Sequence, residues 1–280
     1  MMKYTIRYVS LLAGMLTVFS SCEHKDLCFD HDAHAPKSDV HIKAVYEKEW
    51  EHTCEGGPDW EQYPAWESRF GMDYHELCPD APDGLRIQVY NEDGTNNVLN
   101  VAPEGDIVRM RPGEHSLLLY NNDTEYIVFD DMNSFASAKA TTRTRTRASY
   151  GGNPYMENTV ENTVNAPDML YGNYMENYTA ERKTETDELP VTMHPLVFTY
   201  LVRYEFSHGL EYVALARGAL AGMAGAVWLN SGRTSEEAVT ILYDCSVEDF
   251  GAQACVHSFG IPDYPNEHYT ARAERVMAEP

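Results

Sequence analysis

Leu196, Phe198, Tyr200, Val202, Tyr204 and Phe206 put an apolar or aromatic side chain at every second position, with Thr199, Arg203 and Glu205 between them. A period of two is what a β-strand with one buried face requires; a helix would scatter these side chains around its axis. Shorter runs repeat the signal. Val40, Ile42, Ala44 and Tyr46 alternate with His41 and Lys43, and residues 85–90 alternate before Asn91-Glu92-Asp93-Gly94, a turn rich in residues that tolerate left-handed backbone. Residues 98–101, 107–110, 115–120 and 126–129 follow as short strands, the second stopping at Pro112-Gly113 and the third at Asn121-Asn122-Asp123. Val239, Ile241 and Tyr243 give another strand, and residues 255–259 a short one. No convincing amphipathic helix pattern competes with them. Short strands separated by turn signals predict an all-β chain of sandwich type.

Two interruptions divide the chain. Residues 47–84 are acidic and aromatic, and Pro58, Pro64, Pro79 and Pro82 block long regular elements, so this stretch reads as an elaborated loop. Residues 141–189 read as a polar junction that opens on Thr142-Arg143-Thr144-Arg145-Thr146-Arg147. The expected organisation is a first sandwich over 39–140, the junction, a second sandwich over 190–268, and a charged, alanine-rich stub at 269–280. Residues 213–229 contain Gly218-x-x-x-Gly222, the spacing of paired membrane helices. With Arg217 and several glycines in so short a run, close-packed strands explain it better.

The charge excludes some functions. Forty-four acidic residues face 21 basic ones, a formal net charge of −23. Binding nucleic acid, or an anionic membrane through a basic patch, needs the opposite surplus. The amino terminus carries an address instead. Lys3 and Arg7 precede an uncharged, largely apolar run over residues 8–19, too short to span a bilayer, which ends in Ser20-Ser21-Cys22. Residues 1–21 are therefore expected to be a signal peptide cut between Ser21 and Cys22, with the Cys22 thiol acylated and residues 22–38 acting as a tether. The blander alternative is an ordinary exported protein in which Cys22 is incidental. Several acyl chains hold a protein at a bilayer stably where one does not. Export also permits disulfides, for which the local pairs Cys54–Cys78 and Cys245–Cys255 are the candidates, with Cys28 left over.

Chemistry is harder to find. The sequence has no G-x-S-x-G, no H-E-x-x-H, no phosphate-binding glycine loop and no calcium loop, so no catalytic residue, metal ligand or cofactor is assigned. His52, Cys54, His75 and Cys78 have a composition that zinc accepts, but in an exported chain a disulfide is the better use of the two cysteines. Asn91, Asp93 and Thr95 carry oxygen ligands, yet their first reading is a turn. Trp50, Trp60, Tyr63 and Trp66 make the aromatic loop 50–74 the best candidate surface, for a protein partner or a glycan. Packing of the same rings onto the loop's own sandwich weighs equally. Arg143, Arg145 and Arg147 read either as a solvated strand or linker or as a protease-sensitive site.

The chain also resembles a known family, the fimbrillin-like lipoproteins of Bacteroidales, with fimbrial anchor and minor subunits of the FimB/Mfa2 type. The resemblance rests on the lipobox followed by residues 24–31 and on Leu117-Leu118-Leu119-Tyr120-Asn121-Asn122-Asp123-Thr124-Glu125. It rests also on the arginine stretch 142–147, and on Met193-His194-Pro195-Leu196 with Leu210-Glu211-Tyr212-Val213, Gly222-Met223-Ala224-Gly225 and Ser258-Phe259-Gly260. It implies two tandem transthyretin-like Greek-key β-sandwiches and no enzymatic activity. It implies an outer-membrane, cell-surface position held by lipid on Cys22, and fimbrial subunits as partners bound by strand addition. A surface glycan- or host-binding lipoprotein is the alternative. The resemblance departs at the carboxy terminus, where the family continues with strands and this chain has residues 269–280. Either the second sandwich lacks its closing strands or the reading frame changed late.

Overall fold

The computed structural model describes residues 38–47, 66–77, 79–146 and 162–263. In chain order they form β1 (Ser38–Tyr46), a short helix α1 (Trp66–Phe70), β2 (Leu85–Asn91), β3 (Asn96–Val101), β4 (Ile107–Met110) and β5 (Gly113–Asn121). Then come β6 (Ile127–Asp130), β7 (Lys139–Thr142), β8 (Thr163–Asn165), β9 (Tyr171–Ala180) and β10 (Asp187–Pro195). The last set is β11 (Phe198–Glu205), β12 (Ala216–Ala224), β13 (Ala226–Trp228), β14 (Ala238–Glu248) and β15 (Gly251–Ser258). The all-β expectation holds, and residues 216–228 are strands rather than a membrane helix.

The first sandwich sets a layer β4-β1-β10 against a layer β3-β2-β5-β9. β10 belongs to both. It runs parallel to β1 from Val40↔Asp187 to Tyr46↔Met193, and its last residues, His194 and Pro195, pair with Gly172 and Tyr171 of β9. Inward side chains at alternate positions fill the space between the layers: Val40 and Ile42 from β1 and Met193 from β10 meet Ile87, Leu117 and Leu119 from β2 and β5. Full burial of each such side chain contributes roughly 1.5–3 kcal/mol, so a charge at Leu117 would open this core. Gly105 shows how closely the backbone packs here. The Ile42 N–H donates to the Asp106 carbonyl at 3.0 Å and the Ala44 N–H to the Glu104 carbonyl at 2.9 Å. A Cβ on residue 105, whose φ is +98°, would run into the Ile42 carbonyl.

The second sandwich uses the same device. β14 pairs with β12 over Ala238 to Cys245 and with β8, in parallel, over Thr240 to Leu242; its last residues then pair with β15. One layer is β12-β14-β8, and among the described residues the facing layer is β11-β15 alone. Val164, Leu220 and Ile241 meet Val256, Ala254, Tyr200 and Val202 between them. The Tyr204 and Tyr243 hydroxyls, 2.8 Å apart, tie the two layers together.

A small sheet, β13-β7-β6, couples the sandwiches. Its Ile127, Ala140 and Val227 pack with Leu118 and Tyr120, which point out of the first core because their neighbours in β5 point in. Phe259, Val197 and Leu170 complete this shared core.

Strand placement differs from expectation in one respect. Residues 171–195, expected to span the polar junction and the start of the second sandwich, are β9 and β10 of the first sandwich. The polar side chains misled because β9 buries Tyr171 and Ala180 at its ends while Glu176 and Asn177 are exposed. A register shift between His115 and Leu117 opposite β9 also breaks its alternation.

Candidate functional site

Among the described residues seven strands end a sheet, and six of them are blunted; β8, with three residues, is one. β4 and β6 have four residues each and β13 has three, too few for a partner strand to read. β3 carries Asn96, Asn97 and Asn100. β12 contains Arg217 and is interrupted at Gly222, whose φ of +81° accompanies a register shift between Ala221 and Met223. β11 is neither short nor bulged, and its charges, Arg203 and Glu205, lie only near its far end. Its eight residues pair with β15 without a shift, from Phe198↔Ser258 to Glu205↔Gly251, and Phe198-Thr199-Tyr200-Leu201-Val202 carry no charge. Phe198 and Phe206, at its two ends, are 43% and 40% exposed. Tyr200 and Val202 face the second core from the same side of the strand. No described strand pairs with the far edge of β11, and its uncharged residues 199–202 offer a regular ladder to an added strand.

The far end of β11 is held. The Arg203 guanidinium lies 3.4 Å from the Phe250 ring centroid, bonds Glu205 at 3.1 Å and donates to the Arg69 carbonyl at the end of α1. The acidic aromatic segment thereby reaches the second sandwich. Beyond Leu215 and Tyr212, the latter 85% exposed, this end of the sheet presents apolar surface.

The residues singled out in the sequence fall in several places. Ser21, Cys22, Cys54, Cys78, Trp50, Trp60, Tyr63 and Arg147 lie outside the described residues. Trp66 is half-buried and stacks on its own segment, 4.4 Å from the Phe70 ring and 5.0 Å from that of Tyr74. Asn91, Asp93 and Thr95 form a turn: the Asn91 amide donates to the Thr95 hydroxyl at 2.9 Å, and the Asp93 carboxylate accepts from the Thr95 backbone N–H at 2.9 Å. The Thr95 hydroxyl and then the Thr95 backbone N–H, both donating to it, hold the Asp93 carboxyl below the usual carboxylate range.

Two expectations are corrected. Cys245 and Cys255 are free thiols, not a disulfide. Ser246 pairs with Gln253, so Cys255, two residues from Gln253, shares the face of Ser246, whereas Cys245 lies on the other. Their Cβ vectors point apart across the sheet, which no S–S bond spans. Burial, with Asp244 beside it, pushes the Cys245 thiol pKa up and away from reactive thiolate.

Arg143 and Arg145, in turn, are not part of an open linker. The Arg145 N–H donates to the Thr163 carbonyl and the Asn165 N–H to the Arg143 carbonyl, both at 2.9 Å, so this stretch lies antiparallel to β8. The Arg145 guanidinium bonds the Leu242 carbonyl at 3.1 Å and the Asp244 carboxylate at 2.7 Å, and Arg217 reaches the other Asp244 oxygen at 3.1 Å. Arg145 holds the Asp244 carboxyl below its ordinary range. Sequence reasoning missed Asp244 and Arg217: Asp244 lies 99 residues from Arg145 and 27 from Arg217, and no local signal marks such pairs.

Comparison with known proteins adds a family and a fold. The family model described as a domain of unknown function (DUF5119) matches residues 61–244. A Bacteroides ovatus protein provisionally named fimbrium anchoring subunit Fim4B is 25% identical over 175 residues, which cover 62% of this chain and 50% of that protein. The chain thus spans about half the length of the curated relative it matches. A solved Bacteroides ovatus structure, provisionally described as an adhesin, superposes with a TM-score of 0.59 at 23% identity, covering 88% of this chain and 74% of the other. A second such structure gives a TM-score of 0.50 at 8% identity, with 82% and 71% covered. These likenesses show the sandwich fold.

Proposed function

The chain belongs to the DUF5119 family, and on that footing we propose that it is a fimbrial accessory or anchor subunit of the cell surface. It is held to the outer membrane by lipid on Cys22 and binds a neighbouring subunit by β-strand addition. One observation carries the binding step: among the described residues β11 is a long, regular edge, uncharged over residues 198–202, while the other sheet ends are short, bulged or polar. An edge of that kind is an aggregation hazard unless a partner covers it. The similarity to a protein named as a fimbrium anchoring subunit supports the choice of partner, and the lipobox supports the mode of attachment. The fold and its ion pairs serve holding rather than turnover.

Fimbriae sheared from cells and purified should carry this chain, and cells fed a fatty-acid analogue should label it. Replacement of Cys22 by Ala should abolish the label and release both chain and fimbriae into the medium. An unlabelled chain that stays with the cells after Cys22→Ala would refute the lipid attachment, and fimbriae free of the chain would refute the subunit role.

A further inference from the structure

We infer that the parallel ladder between β1 and β10 is a shear clamp, placed in series between the amino-terminal attachment and the second sandwich. Its use as a load path rests on the anchor reading above; its mechanics do not. Among the described strand pairs only β1–β10 and β8–β14 are parallel, and the β1–β10 ladder is the longer, with seven paired positions against three.

Direction is what matters. In a parallel pair both strands start at the same end. The chain enters β1 at Ser38 from the stretch that follows Cys22, and it leaves β10 at Pro195, two residues before β11 begins. Entry to β1 and exit from β10 therefore lie at opposite ends of the ladder. Tension between the amino terminus and the exit of β10 pulls the two strands along their own axes in opposite directions. Every inter-strand bond is loaded together, and none can fail first. Had the strands been antiparallel, the entry and exit would share one end, and the same tension would peel the bonds apart one at a time.

β1 is gripped from both sides. The Ile42 and Ala44 N–H groups point to the 104–106 segment. The Glu47 N–H donates to the Met193 carbonyl at 2.9 Å, so by strand alternation the amides of His41, Lys43 and Val45 face β10. Lys43 bonds Glu188 at 2.7 Å and Glu47 bonds His194 at 2.8 Å across the same ladder. Exposed pairs like these contribute little, so the backbone ladder and the buried Val40 and Ile42 bear most of the load. At the entry, the Ser38 hydroxyl donates to the Glu181 carbonyl.

Single-molecule force spectroscopy tests this directly, because rupture under load reports the unfolding barrier along the pulled direction. The mature chain, from residue 23 onward, would carry one handle at its amino terminus. The other would be an azide-bearing residue, either His194→p-azidophenylalanine at the exit of β10 or Glu185→p-azidophenylalanine just before its start. At equal loading rate the 194 attachment should rupture at about twice the force of the 185 attachment or more. Val45→Pro removes an amide that faces β10 while altering a side chain that is 65% exposed. It should lower the force in the 194 geometry and leave the 185 geometry nearly unchanged, with Val45→Ala matching the parent. Equal forces in the two geometries, or a weaker 194 geometry, would overturn the clamp. The comparison of directions needs no variant in β1, so poor folding of Val45→Pro leaves the test intact. Absence of lipid on Cys22 would remove the anchor reading without changing the force asymmetry.

Discussion

The first sandwich closes its core with layers of three and four strands, and its sheet ends in a short strand, β4, and an asparagine-bearing one, β3; the second faces a three-stranded layer with β11 and β15 alone among the described residues. Both use one strand that changes layers, β10 in the first and β14 in the second, so the difference is not one of construction. It lies in how the edges are finished. The sheet of the first ends in blunted strands, whereas among the described residues that of the second ends in the long strand β11. The two are locked through the shared core around Phe259, so strain or binding at one is felt by the other.

That coupling gives the largest expected effect. Phe259 is 1% exposed in the shared core, and Phe259→Ala should cost about 3–5 kcal/mol. Calorimetry should then show the single transition of the parent chain splitting into two, the second sandwich melting first. A variant that still unfolds in one step would break the view of two bodies joined by one small core. Leu119→Ala, deep in the first core, should cost about 2–5 kcal/mol without splitting the transition.

Smaller effects sharpen the contrast in edges. Leu201→Lys puts a charge on the middle of β11, as natural edges do, and should reduce incorporation into fimbriae about tenfold while changing stability by about 1 kcal/mol or less. Asn97→Lys on β3 should change neither. Asp244→Asn removes the acceptor shared by Arg145 and Arg217, and limited trypsin should then cut after Arg145 several times faster, as read by mass spectrometry. The pH dependence follows with its sign. The Asp244 carboxyl has a lowered pKa in the fold, so its contribution is present above about pH 4, the ordinary value for a free aspartate, and is lost as pH falls further. Acid titration of stability should be shallower in Asp244→Asn.

The smallest effect lies at alkaline pH. Burial, with Asp123 and Tyr171 nearby, pushes the Tyr46 phenol up to about 12. A raised pKa means stability that is full below about pH 10, where a free tyrosine titrates, and lost as pH rises toward 12. Tyr46→Phe should flatten that decline, measured by denaturant midpoints between these values.

Much of this was legible in the residues, for local reasons. β1, β2 and β11 alternate cleanly, and the turn after β2 is closed by Gly94 at a φ of +80° as its sequence suggests. β9 and β10 were not legible. Asn, Glu and Tyr at their outward positions, Pro190 inside β10 and a register shift beside β9 hide a strand pair that becomes visible only when β1 and β5 lie on either side of it. The same limit applies to the site. The uncharged run 198–202 was plain, but its being an edge depends on what fails to pair with it, and no alternation pattern reports that. Asp244 between Arg145 and Arg217 needed the β12–β14 register to bring its partners together. The cysteine pair failed for a related reason: ten residues of separation invite a bridge, and only the register at Ser246 and Gln253 turns the thiols to opposite faces.

The most direct measurement places a photo-reactive residue on each of the two contrasted edges, Thr199 of β11 and Asn97 of β3, in cells that assemble fimbriae. Illumination should join the chain to a second fimbrial subunit from position 199 and give no adduct from position 97. Adducts from 97 alone, or none from 199 in fimbriae that contain the chain, would contradict the assignment of β11 as the subunit-binding edge.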